Sequence, residues 1–447
     1  MVRQIPVKEE KDSDVAFFFL FLYTASVLIR PHEMFQISIE WVLIKVFAIL
    51  ALIFVLFAHR PLKLYPQHWM TLSIIPFIAI SGFLNSSGTD GIDFSSQFFI
   101  SSIIPLFLYS TCITSIKKQH ALMIICIIAV LLMIHNGHVQ QTSYLNLGWA
   151  LDTQGMFDRG TDVRRITYLG FFGDPNDSGM FFVMTIPFVL YFYTQGNLLT
   201  KLAMSTILII IGYGIYLTAS RGTMLGAGAL IGIYFLVMSA GPKLFVFSAL
   251  LAPIAATVVA SLQSNIDSSA NGRLEAWYFG IQMLVANPIF GIGRGQFFEE
   301  HRLVAHNSYI HVAAELGIPG YSLWGGTLIF TVLTGYLFIK ARKDKSNSTA
   351  EKDIKPEEIS KECQQELALN KTIFFSLIAF MVTGFFISRM FTLLLYIFLG
   401  MAIASHVRVI KLLPEYKEYF SKAVAIKSMM YCWVVILAVY IALKVGL

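Results

Sequence analysis

Apolar residues fill this chain in long runs, separated by short polar breaks. A hydrocarbon core about 30 Å thick is crossed by about 20 residues of helix. Runs of roughly that length lie at 15–29, 37–57, 69–84, 97–115, 121–135, 178–194, 203–219, 223–240, 243–262, 319–339, 372–388, 391–407 and 429–446. The pattern predicts an all-α fold, a polytopic transmembrane helix bundle of about 12–13 spans, the count turning on the final run. No internal period marks a repeat architecture, and the two halves show no similarity.

Composition agrees with this pattern. Hydrophobic residues make up 56% of the chain and charged residues 13%, with a mean hydropathy of +0.68. A soluble domain carries about 25% charged residues. The net charge of +6 gives no reason to expect nucleic acid, because the charges follow membrane topology. Cytoplasmic loops collect lysine and arginine. With the N-terminus inside, the inner segments hold 18 Lys and 4 Arg, and the outer segments hold 9 Arg and no Lys. Lys45 and Lys444 fall within predicted spans. The opening MVRQIPVKEEKDSDV lacks the features of a cleaved signal, so the first apolar run reads as a retained anchor. Cys112, Cys126, Cys363 and Cys432 lie in spans or on the inner side, which implies no disulfide framework.

The predicted order is therefore N-terminal membrane helices over 1–135, an outer loop over 136–177, central helices over 178–262, a large outer insert over 263–318, and C-terminal helices over 319–447. An inner linker spans 340–371, and 409–428 reads as an amphipathic helix on the inner leaflet. The glycines, arginines and histidines of the large insert make it the centre of interest.

An outer face with arginine and no lysine points to planar, bidentate recognition of phosphate or carboxylate. Some of these arginines serve equally well as headgroup anchors, Arg30 and Arg159 above all. Arg164 and Arg165 precede the turn Gly173–Asp174–Pro175–Asn176, in which Asp174 reads as a helix cap. Arg221, in the Ser220–Arg221–Gly222 turn, and Arg389, in the ISRM break, sit where a charge between apolar spans is costly unless paired or functional. In the insert, Leu274, Trp277, Ile281 and Leu284 form one helical stripe that ends before Pro288, which reads as an interfacial helix anchored by Trp277. GIGRG at 291–295 lacks the preceding strand of a dinucleotide site and reads as a turn that admits a ligand. HNSYIHVAAELG reads as a short helix capped by Asn307 and closed by Gly317. His301, His306 and His311 recur every five residues, unlike a helical zinc pair. His306 adjoins Asn307 and shares its insert with Arg273, Arg294 and Arg302, which makes it a candidate general base.

Taken together, R–W–NPxxGxGxxxF–HNSYxxxxxELGxxG resembles the signature of the O-antigen ligase and O-antigen polymerase superfamily. It is carried by Arg273, Trp277, Pro288, Gly291, Gly293, Phe297, His306, Asn307, Tyr309, Glu315, Gly317 and Gly320. The resemblance implies a GT-C-type glycosyltransferase at the periplasmic face of the bacterial inner membrane. It implies an undecaprenyl-diphosphate-linked glycan donor and an acceptor hydroxyl on a glycan, lipid or protein. His306 would be the base, Asn307 its partner, and Arg164, Arg165, Arg221, Arg273 and Arg389 the substrate and diphosphate binders, with no metal or cofactor and no nucleic acid. Ligase and polymerase stay open, the His–Asn pair resembling the ligase branch more. A lipid-linked glycan transporter is the alternative of another class, although its charges would be expected at mid-membrane.

Overall fold

In a computed structural model, residues 12–35, 42–58, 62–85, 89–151, 153–157, 163–239, 251, 254, 257, 268–351 and 360–446 are described. The predicted span at 243–262 and Arg159 lie outside the described residues, three positions of the span excepted. Helices run over Asp14–Leu28 (α1), Leu43–Ala58 (α2), Pro66–Leu84 (α3), Asp90–Cys112 (α4) and Ile116–Thr142 (α5). Next come Pro175–Gln195 (α6), Leu198–Leu217 (α7) and Arg221–Ser239 (α8). The remainder are Ser268–Ala286 (α9), Phe297–His301 (α10), Ser308–Glu351 (α11), Lys361–Thr383 (α12), Leu393–Leu412 (α13), Lys422–Tyr431 (α14) and Trp433–Gly446 (α15). Among the described residues, nine helical stretches are long and apolar enough to cross a membrane. The chain is a polytopic helical membrane protein.

Helix α6 is the axis of the bundle. Asp174 accepts from the Asn176 N–H as its cap and Pro175 fills the first helical position, where no donor is missed. Most of its length is buried, packed against α5, α7, α8 and α12. Small residues let neighbours close in: a Cβ on Gly179 would fall 2.1 Å from the Thr223 hydroxyl oxygen of α8. Farther along, Phe188 stacks on Phe398 of α13 at 5.4 Å.

Helix α5 runs past its predicted end and fastens the loop that follows. Fully buried Asn136 accepts from the Ala150 N–H at 2.9 Å and donates to the Thr167 carbonyl at 3.2 Å. Gln140 accepts from the Thr167 N–H at 2.9 Å and donates to the same carbonyl at 3.1 Å. These buried amides satisfy the backbone of a segment that forms almost no regular structure. Among the described residues it holds a two-residue antiparallel ribbon, Met156–Phe157 (β1) against Arg164–Arg165 (β2), beside an isolated bridge from Leu147 to Gln154 and a 3-10 turn at Gly170–Gly173. Short-range pattern gave no sign of the ribbon.

The C-terminal region differs from expectation. The segment read as an amphipathic leaflet helix is packed against α11, with Tyr416, Ala425 and Ser428 buried. Phe338 meets Tyr416, Phe330 stacks on Phe420, and Tyr321 donates to the Cys432 carbonyl at 2.8 Å. The chain from Pro414 to Cys432 thus runs antiparallel to 321–338, while α15 continues beyond it and meets α9. Apolar content alone had shifted the final span toward 429–446.

Ionic groups sort to the two ends. At one, Lys118 pairs with Asp12 at 2.6 Å and buried Arg408 donates to Glu366 at 2.7 Å. At the other lie Arg30 with Glu33, and the groups described next.

Candidate active site

Four breaks between helices meet at that second end. Arg165 donates to the Thr218 carbonyl at the end of α7 (3.0 Å) and to Asn176 Oδ1 in the first turn of α6 (3.1 Å). The same Asn176 oxygen accepts from the Ser220 hydroxyl at 2.6 Å, one residue before exposed Arg221 opens α8. Asp174 accepts from the Asn176 side-chain amide, fixing its orientation. Arg389, between α12 and α13, donates to Asp177 at 2.5 Å and lies 3.7 Å from Asp174.

Ser308 ties this cluster to the large insert. Its hydroxyl donates to the Ile387 carbonyl at 2.6 Å and accepts from the Arg389 N–H at 2.9 Å, and its own N–H donates to Gly384. His306, two residues earlier, is thereby held beside the arginines. Its backbone is left-handed, with φ of +48°, a conformation that costs a non-glycine residue of order 1–3 kcal/mol. The ring is exposed in surface area, yet protein rises around it. Burial first, then the Arg273 guanidinium, pulls the imidazole down to about 4; Asp174 opposes this, and Arg389 and His311 add to it. A ring held neutral at pH 7 is able to accept a proton.

Asn307 is fully buried, and its Oδ1 accepts from the N–H groups of Tyr309 (3.0 Å) and Ile310 (3.1 Å) as the cap of α11. Its Nδ2 has no hydrogen-bond partner among the described residues. Trp277, expected as an interfacial anchor, is fully buried instead. Its indole donates to the Ala305 carbonyl at 2.8 Å and meets Phe385 edge-on, bracing the backbone just before His306.

The glycine turn serves the protein's own backbone rather than a ligand. Helix α11 breaks at Gly317, where φ is +67°. The carbonyls freed just before this break accept from Ile292 N–H (2.9 Å, to Ala314) and Gly293 N–H (3.1 Å, to Glu315). Gly291, with φ of +66°, passes so close that a Cβ would fall 2.3 Å from the Glu315 carbonyl carbon. The buried Glu315 carboxylate accepts from the Gly295 N–H at 2.8 Å and bonds His311 Nε2 at 3.0 Å. The NPxxGxG and ELG motifs are thus two sides of one joint.

Not every candidate arginine joins the cluster. Arg164 donates to the Gln141 and Ser143 carbonyls and lies over the Phe157 ring, as expected when neighbouring strand residues face opposite ways. Arg294 is sandwiched between Phe94 and Phe391 and donates to the Phe94 carbonyl. Arg302 pairs with Glu299 in solvent. Asn176, Asp177 and Ser308 were missed from sequence. Asp177 carried a signal, a lone carboxylate one turn into an apolar helix; Ser308 carried none, because its partners are backbone groups 76 or more residues away.

Arg389 faces Asp174 and Asp177, Arg165 is joined to the same turn through Asn176, and Arg273 and Arg389 both act on the His306 ring. Such a cluster suits an anion beside a neutral base. Residues 206–325 match the family model for O-antigen ligase, a stretch that contains Arg221, Arg273 and the His306–Asn307 pair and stops short of Arg389. No curated protein matches the chain. That match and the polytopic helical fold support the O-antigen ligase/polymerase superfamily for this chain.

Proposed function

We propose that this protein is an inverting, GT-C-type glycosyltransferase. It takes a glycan from undecaprenyl diphosphate and passes it to an acceptor hydroxyl at the periplasmic face of the inner membrane. The observation that carries this reading is the setting of His306, where Arg273 and Arg389 act on the ring and Arg165 is tied through Asn176 to the turn that holds Asp174, a group of cations suited to the diphosphate of a glycosyl lipid.

The acceptor hydroxyl attacks the anomeric carbon while the bond to the diphosphate oxygen breaks. Neutral His306 takes the hydroxyl proton. The guanidinium groups offset charge growing on the departing diphosphate, which such groups do best where they are already fixed in place. Hydrogen bonds from Arg165 to Asn176 and Thr218, and from Arg389 to Asp177, supply that fixing. Asn307 holds the base, and no protein nucleophile is required.

The reading favours a ligase, which places the glycan on a lipid core or similar acceptor; a polymerase would extend a second lipid-linked glycan by the same chemistry. Product analysis by mass spectrometry and NMR separates them. The ligase predicts free undecaprenyl diphosphate and a glycan on the acceptor, with inverted anomeric configuration. Longer lipid-linked chains would indicate the polymerase. Retained configuration, or movement of intact lipid-linked glycan across a bilayer without bond cleavage, would overturn the proposal.

A further inference from the structure

The segment from Arg165 to Asp174 has a second face. Its ends reach the arginine cluster, but Thr167, Tyr168 and Gly173 between them wall a separate cavity of about 480 Å³, within the range of about 300–1,000 Å³ typical of small-molecule sites. The facing wall is Glu33 with Leu151, Thr153, Gln154 and Met156. Met156 lines the cavity and pairs with Arg165 across the ribbon, so cavity and cluster share that ribbon.

The lining suits a polyol. Glu33 is held by Arg30, whose Nε donates to it at 2.6 Å, so its carboxylate is fixed and its charge offset. Gln154 adds an amide group and Leu151 an apolar surface, while the Thr153 and Thr167 hydroxyls donate to the Ala150 and Gln154 carbonyls and hold the wall in place. Arg30 itself is pinned by geometry: a Cβ on Gly170 would fall 2.2 Å from its guanidinium carbon. Among the described residues no Lys or Arg side chain lines the cavity.

We infer that this cavity is a carbohydrate subsite, holding pyranose rings of an oligosaccharide while the diphosphate occupies the neighbouring arginines. The inference rests on the transferase reading for its substrate. The rings belong either to the donor glycan or to a glycan acceptor, and kinetics tell the two apart.

The test uses full-length protein in nanodiscs, with Gln154→Trp and Leu151→Trp to fill the cavity and thermal midpoints to confirm folding. The binding probe is the oligosaccharide released by mild acid from the cell's own lipid-linked glycan, followed by saturation-transfer NMR. The wild type should give a signal that both variants lose. In transfer assays KM should rise about tenfold with kcat nearly constant, as expected when binding energy alone is lost. A rise in donor KM assigns the rings to the donor, a rise in acceptor KM to the acceptor. An unchanged signal and unchanged KM values in folded variants overturn the subsite. Should the wild type bind oligosaccharide through this cavity but transfer nothing, the subsite stands and the transferase reading falls.

Discussion

His306 combines a strained backbone with a ring surrounded by positive charge. Replacing it with Ala should abolish transfer while leaving the helix cap at Asn307 intact; full activity in a folded His306→Ala variant would remove it as the base. The ring is driven down to about 4, with burial the leading cause, so it stays neutral well below neutrality. The acid limb of kcat/KM for the donor is therefore expected near pH 4–5, and a limb at the ordinary histidine value of about 6.5 would contradict the assignment. Bound diphosphate offsets Arg273 and Arg389, so the limb in kcat should lie higher than that in kcat/KM. The same depression lowers stability on acidification, because between about 6.5 and 4 the unfolded chain binds the proton that the folded ring refuses. Among the arginines, Arg221→Ala should cost about 2–4 kcal/mol of barrier, on the scale of one oxyanion donor. Arg164→Ala should leave kcat within a few-fold, since its donors go to loop carbonyls; equal losses from both would mean the ribbon, rather than the cluster, was being measured.

At the scale of elements, the decisive feature is the break in α11. Gly317 needs a left-handed backbone, and a Cβ there would fall 2.7 Å from the Ile289 carbonyl. Gly317→Ala is expected to cost about 1–2 kcal/mol for the backbone conformation, with the clash added, seen as a lower thermal midpoint. An unchanged midpoint would show that the joint tolerates a straight helix. The helix with its Asn307 cap and Gly317 stop was legible in the sequence, because caps and breaks are local. The role of GIGRG was not. Glycines that admit a ligand and glycines that admit a neighbouring carbonyl look the same until Ala314 and Glu315 are seen accepting from them. Trp277 misled for a similar reason, as a buried indole and an interfacial one share the same helical stripe. The ribbon and the amide-pinned loop at 143–173 were illegible because their order comes from Asn136 and Gln140 on a distant helix.

Across the whole molecule, charge separates the two ends of the bundle. Buried Arg408 donates to Glu366 and to the Ile113 carbonyl, tying α12 and α13 to the end of α4 far from His306. Removing one partner of a buried pair costs about 3–5 kcal/mol, so Glu366→Ala should destabilise the bundle while sparing the intrinsic rate of whatever stays folded. A selective loss of kcat at full stability would instead couple the two ends. The arginines expected on the outer side stood out in the sequence by the lack of lysine among them, whereas separating Arg165 and Arg389 from Arg164, Arg294 and Arg302 required the fold. The central claim is that these guanidinium groups and one neutral imidazole cleave a glycosyl diphosphate lipid by transfer. It is tested most directly by supplying purified full-length protein in nanodiscs with undecaprenyl-diphosphate-linked glycan and an acceptor, and counting free lipid diphosphate against new glycosidic bonds. The account predicts one of each per turnover, lost together in folded His306→Ala. Free diphosphate without a new bond, or matched products from the folded variant, would contradict it.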